Sequence, residues 1–204
     1  MSTAVLAPPR IPTFRAWPPR LHKFTATEFD RLAGTGVFEG RRPFLLDGVI
    51  WEQGPMNPPH AVGGSLAENA IQTLFASGWT VRGQLPLHVD EYNNPFPDVA
   101  VVPGGPRDYL GRHPTTAALV VEVADTTLST DITEKAERYA TAGIADYWVL
   151  DLEGRRLLVF RDPAPLPAGL GATAYRNQQI LGPTDRIAPL AAPNGSILVG
   201  EMLP

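Results

Sequence analysis

The placement of proline dictates where regular structure can run in this chain. Five of its 22 prolines stand at positions 8, 9, 12, 18 and 19, and none lies between Pro59 and Pro86 or between Pro114 and Pro163. Proline lacks a backbone donor and fixes φ, so the longest helices and interior strands belong in those two gaps. Proline and glycine together make up 41 of 204 residues. That share stays below the roughly 25–30% of unstructured low-complexity chains, and a hydrophobic content of 44% is enough for a core. The length suits a single domain over 24–204 behind a proline-rich extended arm over 1–23.

Element by element, Thr25 to Glu28 has the pattern of a capping box and predicts a short helix over 26–33. Phe44 to Glu52 reads as a hairpin around Asp47-Gly48. The first proline-free window carries Val62, Leu66, Ala70, Ile71, Leu74 and Phe75 at helical spacing, predicting an amphipathic helix from just after Pro59 to near Ser77-Gly78. Strands are expected over 79–83, 85–89, 97–102 and 117–123, and a second helix from Asp131 to Ala142, closed by Gly143. Two more strands, 147–150 and 157–160, flank the turn at Glu153-Gly154, and short apolar pieces after Asp162 finish a sheet edge. The pattern predicts an α/β fold, a mixed sheet flanked by helices.

Several function classes fall away. The chain has no cysteine, hence no disulfide framework, thiolate zinc site or cysteine nucleophile. No apolar stretch is long enough to span a membrane, and prolines break the N-terminus before a signal core forms; the expectation is a cytoplasmic protein. A net charge of −4 argues against a broad nucleic-acid-coating surface. There is no G-x-S-x-G elbow, phosphate-binding P-loop or H-E-x-x-H helix.

Three residues remain whose surroundings make their chemistry conspicuous. Glu122 interrupts Leu119 to Ala124, a strand apolar on both faces, where an uncompensated carboxylate is costly. It is either a strand-end or ion-paired acid, or part of a site. Asp98 opens a similar strand after Pro97; if the two strands are neighbours, both acids converge at one end of the sheet, where a hard divalent cation would unite them. Lys135 is one of only two lysines beside 15 arginines, a compact ammonium on the second helix. Its plain reading is an i,i+4 pair with Asp131.

The ordered series Pro97-Asp98, Val121 to Leu128, Asp131, Lys135, Tyr139-Ala140, Ala142 to Ile144 and Tyr147-Trp148 resembles the Uma2 family, bacterial restriction-endonuclease-like proteins of the PD-(D/E)XK nuclease superfamily. Leu45 to Ile50, Pro58 to His60, Gln84 and the stretch from Arg176 to Leu203 extend the likeness over about residues 24–203. The resemblance implies a restriction-endonuclease-like core and metal-dependent phosphodiester hydrolysis of DNA. It makes Asp98 and Glu122 ligands for Mg2+ or Mn2+, the Val123 carbonyl a third oxygen and Lys135 the catalytic lysine. Two departures stand out. The superfamily lysine position two residues after the acid is Ala124, so Lys135 must reach in from the following helix, and Phe44 replaces a glutamate usual before the Leu-Leu-Asp-Gly segment.

His60 and Gln84 are possible accessory residues, set against a surface cap position and ordinary sheet-edge hydrogen bonding. Tyr147-Trp148 reads as core. Arg41, Arg42, Arg82, Arg107, Arg112 and Arg138 read as scattered surface unless they share one face. The competing functions are a catalytically silent nucleic-acid-binding module and a structural protein with a buried charge cluster. A homodimer would be convenient for double-strand cutting, though no coiled coil supports one.

Overall fold

The computed structural model describes residues 20–167 and 172–204. Most of the expected proline-rich arm, residues 1–19, lies outside the described residues. Helix α1 (Ala26–Ala33) begins as its capping box dictates: the Thr25 hydroxyl accepts from the Glu28 N–H, and the Glu28 carboxylate accepts from the Thr25 N–H at 2.9 Å. Strands β1 (Pro43–Leu46) and β2 (Val49–Glu52) form the expected hairpin. Asp47 and Gly48 both have positive φ, 50° and 74°, as a two-residue turn of matching twist requires.

The main sheet has six strands in the order β3-β4-β5-β6-β7-β8. These are β3 (Trp79–Gly83), β4 (Val99–Pro103), β5 (Leu119–Ala124), β6 (Asp146–Asp151), β7 (Arg156–Pro165) and β8 (Thr173–Leu181). Only β5 and β6 run parallel, joined by the helical crossover; the other neighbours are antiparallel. Both faces are covered. On one, Leu119, Val121 and Val123 pack with Ala67 and Ile71 of α2 (Pro58–Gln72) and with C-terminal Ile197, Val199 and Met202. On the other, Val120 and Ala124 pack with Tyr139, Ala140, Tyr147, Phe160 and Tyr175. Every residue of β5 is buried, which is why it reads as continuously apolar apart from Glu122. Tyr147 and Trp148 are core residues, fully buried.

Four local expectations need correction. Helix α2 starts at Pro58 under an Asn57 cap and ends at Gln72, earlier than expected; the Thr73 hydroxyl donates to the Ala70 carbonyl at its end. Its buried positions are Gly63, Ala67 and Ile71, while Val62 is exposed. A Cβ on Gly63 would stand 3.1 Å from Leu152 and 3.2 Å from Val123, so small residues, not large ones, let this helix lie close to the sheet. Residues 85–89 form no strand. Leu87, His88 and Val89 send their N–H groups to Pro95, Pro114 and Asn93 respectively, and the two prolines have no N–H to return.

The second helix is longer and less regular than its periodicity suggests. Helix α3 (Leu128–Thr130) runs into a π turn over Asp131–Lys135 and then into α4 (Ala136–Thr141), and Gly143 follows with a φ of 75°. After Asp162 the chain forms a long polar edge strand rather than short apolar pieces. In β8 only Tyr175 is buried, against Tyr147 and Phe160, whereas 176–180 are exposed. Strands β9 (Arg186–Ile187) and β10 (Ile197–Leu198) then pair as a small separate sheet.

Candidate active site

The register between β4 and β5 brings the two acids together. Its pairs are Val101 with Leu119, Ala100 with Val120 and Val99 with Val121. Continued by one residue, the same register sets Asp98 opposite Glu122, on one face of the sheet and just past the end of the ladder. Asp98 Oδ2 accepts the Val123 N–H at 2.8 Å, filling the place of the next ladder bond. The N–H and C=O of a strand residue point the same way, so the Val123 carbonyl also leaves the strand on the Asp98 side. Both acids are buried, at 6% and 3% exposure.

Lys135 reaches this point from the π turn. Its Nζ lies 3.1 Å from Glu122 Oε2 and 2.7 Å from Asp131 Oδ1. The i,i+4 pair therefore exists, but it is turned inward: Asp131 is fully buried, its second oxygen accepting the Thr127 hydroxyl at 2.6 Å. A π turn holds more than four residues per revolution and stacks positions four apart, and such turns occur frequently at functional sites. One turn on, the buried Tyr139 hydroxyl donates to Glu122 Oε1 at 2.8 Å. Burial pushes the Glu122 carboxyl up to about 7; Lys135 pulls it back, and the charges of Asp98 and Asp131 add to the rise. For Lys135 burial acts downward, but the charges of Glu122 and Asp131 outweigh it and hold the ammonium above its ordinary value.

His60 belongs to this cluster. Asn57 caps α2 by accepting the His60 N–H at 3.0 Å, which points the ring at the sheet, and His60 Nε2 lies 2.9 Å from Asp98 Oδ1. That hydrogen bond raises the imidazole pKa, partly opposed by burial. Gln84 does not join it. It sits just past β3 with a φ of 51°; its side chain meets Arg42 and Met56, and its N–H donates to the Pro97 and Asp98 carbonyls. Gln84 thus holds the backbone that carries Asp98. Of the arginines, Arg138 lines the cleft, paired with Asp47 at 2.5 Å, whereas Arg82 is buried over the Tyr109 ring and Arg41 pairs with Glu52. The sequence reading gave neither Asp131 nor Tyr139 a role in the site, taking Asp131 as an i,i+4 partner for Lys135. The spacing 131, 135, 139 was the available signal, since successive i,i+4 positions share a face.

Asp98, Glu122, Lys135 and His60 open into a cleft of about 420 Å3, walled on the other side by apolar residues including Phe44, Met56 and Phe96. Among the described residues, no three His, Asp or Glu side chains form a cage for a metal ion. Magnesium needs no such cage, being commonly held by one or two carboxylates with waters and substrate phosphates completing the shell. Two hard-oxygen acids facing one another, one of them with its carboxyl pushed upward chiefly by burial, fit a divalent cation. Among the described residues, no helix is long and apolar enough to cross a membrane.

Comparison with known proteins agrees with this architecture. Residues 26–199 match the family described as "Uma2: Putative restriction endonuclease". Among solved structures the chain is similar to "a putative nuclease belonging to DUF820 from Anabaena variabilis ATCC 29413", with a TM-score of 0.66 and 15% identity over 88% of this chain and 97% of that one. At that identity the likeness bears on the fold alone. No curated protein matches the chain.

Proposed function

The chain belongs to the Uma2 family, and from that premise we propose that it is a divalent-metal-dependent endonuclease hydrolysing phosphodiester bonds of DNA at the Asp98–Glu122–Lys135 cluster. The observation that carries this reading is the placement of two buried acids opposite each other at an open strand end, with a lysine 3.1 Å from one of them. Asp98, Glu122 and the Val123 carbonyl would hold Mg2+ or Mn2+. Such an ion, when bound, offsets phosphate charge and makes coordinated water more acidic. Lys135, fixed between Glu122 and Asp131, keeps its positive charge at any ordinary pH and faces the cleft, where it can orient the attacking water or hold a phosphate oxygen. Tyr139 fixes the Glu122 carboxylate and His60 fixes that of Asp98, so neither acid must reorganise when a cation arrives.

Titration calorimetry with Mn2+ tests the ligand assignment. The expected result is one binding event in the wild type and its loss, or a weakening of at least tenfold, in Asp98→Asn. Unchanged binding in that variant removes Asp98 from the ligand set.

A catalytically silent nucleic-acid-binding module is the second reading. It is favoured by the fact that each acid is already engaged by protein groups and that Phe44 stands where a further acid is usual. It requires salt-sensitive binding of nucleic acid with no turnover in either metal.

A further inference from the structure

The β1–β2 hairpin turns two unlike faces to its surroundings. Leu45 and Ile50, a cross-strand pair, pack with Phe29 of α1 in a small core. The opposite face carries the pairs Phe44–Trp51 and Leu46–Val49. Phe44 and Leu46 line the same cleft as Asp98, Glu122 and Lys135, and the Phe44 ring lies 6.4 Å from that of Phe96, which also lines it. Val49 and Trp51 continue that surface outward, 40% and 54% exposed. An apolar strip thus leads from the reactive cluster to a solvent-facing indole.

Two of the three arginines beside it are held in ion pairs, and the third is tied to a neutral amide. Arg41 pairs with Glu52 at 2.7 Å, Arg42 donates to Gln84 at 3.2 Å, and Arg138 pairs with Asp47 at 2.5 Å and Glu134 at 3.7 Å. A duplex presents its phosphates outward and keeps its bases stacked inside, so a protein that tracks it needs free lysines and arginines. An unpaired strand exposes base faces, which stack on aromatic side chains with little regard to sequence. The strip offers the second kind of surface, on a protein whose net charge is −4.

Resting on the nuclease reading above, we propose that the Phe44–Leu46–Val49–Trp51 face is a stacking surface for the bases of an unpaired nucleic-acid strand, with Trp51 the principal contact and the strand's phosphate directed to the Asp98–Glu122 pair. The preferred substrate is then single-stranded or locally opened nucleic acid, not continuous duplex. Phe44 serves this surface, and a carboxylate at its position would repel the phosphate-bearing strand.

Fluorescence anisotropy of the full chain with a labelled oligothymidylate, and with the same oligomer annealed to oligoadenylate, tests this in chelator, where no cleavage intervenes. The single strand is expected to bind more tightly. Trp51→Ala is expected to weaken that binding roughly tenfold or more, Trp51→Phe to restore part of it, and the salt dependence to stay unchanged, because stacking releases no counterions. Trp51 is an exposed hairpin residue, and unchanged thermal unfolding of both variants confirms that folding is not the cause. Duplex binding as tight as single-strand binding, or no effect of Trp51→Ala, overturns the proposal. So does a dimer in sedimentation that Trp51→Ala dissolves without changing strand binding, which assigns the strip to a second copy of the chain. Trp51-dependent strand binding without metal-dependent turnover leaves this inference standing and removes the nuclease reading. Asp98-dependent turnover with Trp51-independent binding removes this inference alone.

Discussion

Glu122 is the residue at which stability and the proposed function pull apart. Its carboxyl sits in the folded protein at about 7 against an ordinary 4.5, because burial disfavours the charge more than Lys135 and Tyr139 favour it. Between those two pH values the folded state keeps a proton that the unfolded state has released. Stability of the metal-free protein therefore falls as pH rises from about 4.5 through about 7 and levels off above. At roughly 1.4 kcal/mol per unit this amounts to as much as about 3 kcal/mol. Glu122→Gln keeps an acceptor for Tyr139 and Lys135 and has no charge to bury. Denaturant unfolding is expected to show it level with the wild type near pH 4 and more stable by up to about 3 kcal/mol at pH 8. A difference that does not change with pH contradicts this account of the site's electrostatics.

Among the elements, α2 depends on a close approach to the sheet. Gly63 rests on Val123 and Leu152, and His60, one turn earlier, rests on Asp98. Gly63→Leu is expected to force the helix away from β5, costing about 1–3 kcal/mol by thermal unfolding, and to reduce turnover by displacing His60. Gly83→Ala is the contrasting case. The added methyl meets only the far end of the flexible Glu68 side chain, so activity and stability should stay close to wild type. Local chemistry made some elements readable from sequence: the Thr25–Glu28 box starts α1 where expected, and Asp47-Gly48 turns the hairpin. The burial of β5 was readable for the same reason, since an all-apolar strand has only an interior to occupy. The buried face of α2 was not, because Gly63 and Ala67 carry no hydrophobic signal and acquire their role only from how close the sheet comes. The spacing 131, 135, 139 marked a shared face but not that it turns inward, since the chain makes a π turn where periodicity assumes an α-helix. The polar strand β8 escaped because an edge strand with one open face needs little apolar sequence.

Over the whole molecule, polar staples hold the sheet to the C-terminal segment at the other end of β6 from the acid cluster. Buried Asp146 accepts from Trp148 Nε1 at 2.7 Å, from Arg161 Nε at 2.7 Å and from the Leu190 N–H at 2.8 Å, tying β6 and β7 to the chain beyond β9. Asp146→Ala leaves those donors and the Arg161 charge without a partner. It is expected to cost about 3–5 kcal/mol by denaturant unfolding, with no change in cation affinity of the folded protein. A loss below about 1 kcal/mol contradicts that assignment. The proline map has a physical meaning at this scale. The gap from 115 to 162 holds β5, the lysine-bearing helix, β6 and most of β7, while Pro95 and Pro97 lead directly into Asp98. A stiff connection thus delivers Asp98 to the sheet end where Glu122 stands. Whether that end performs metal-dependent hydrolysis is tested most directly by following cleavage of single-stranded and duplex DNA with Mg2+ or Mn2+, by wild-type protein and by Glu122→Gln purified in parallel. Cleavage that chelator abolishes and that falls at least about 100-fold in Glu122→Gln is the expected result. Cleavage that persists in Glu122→Gln, or none by the wild type in either metal, contradicts it.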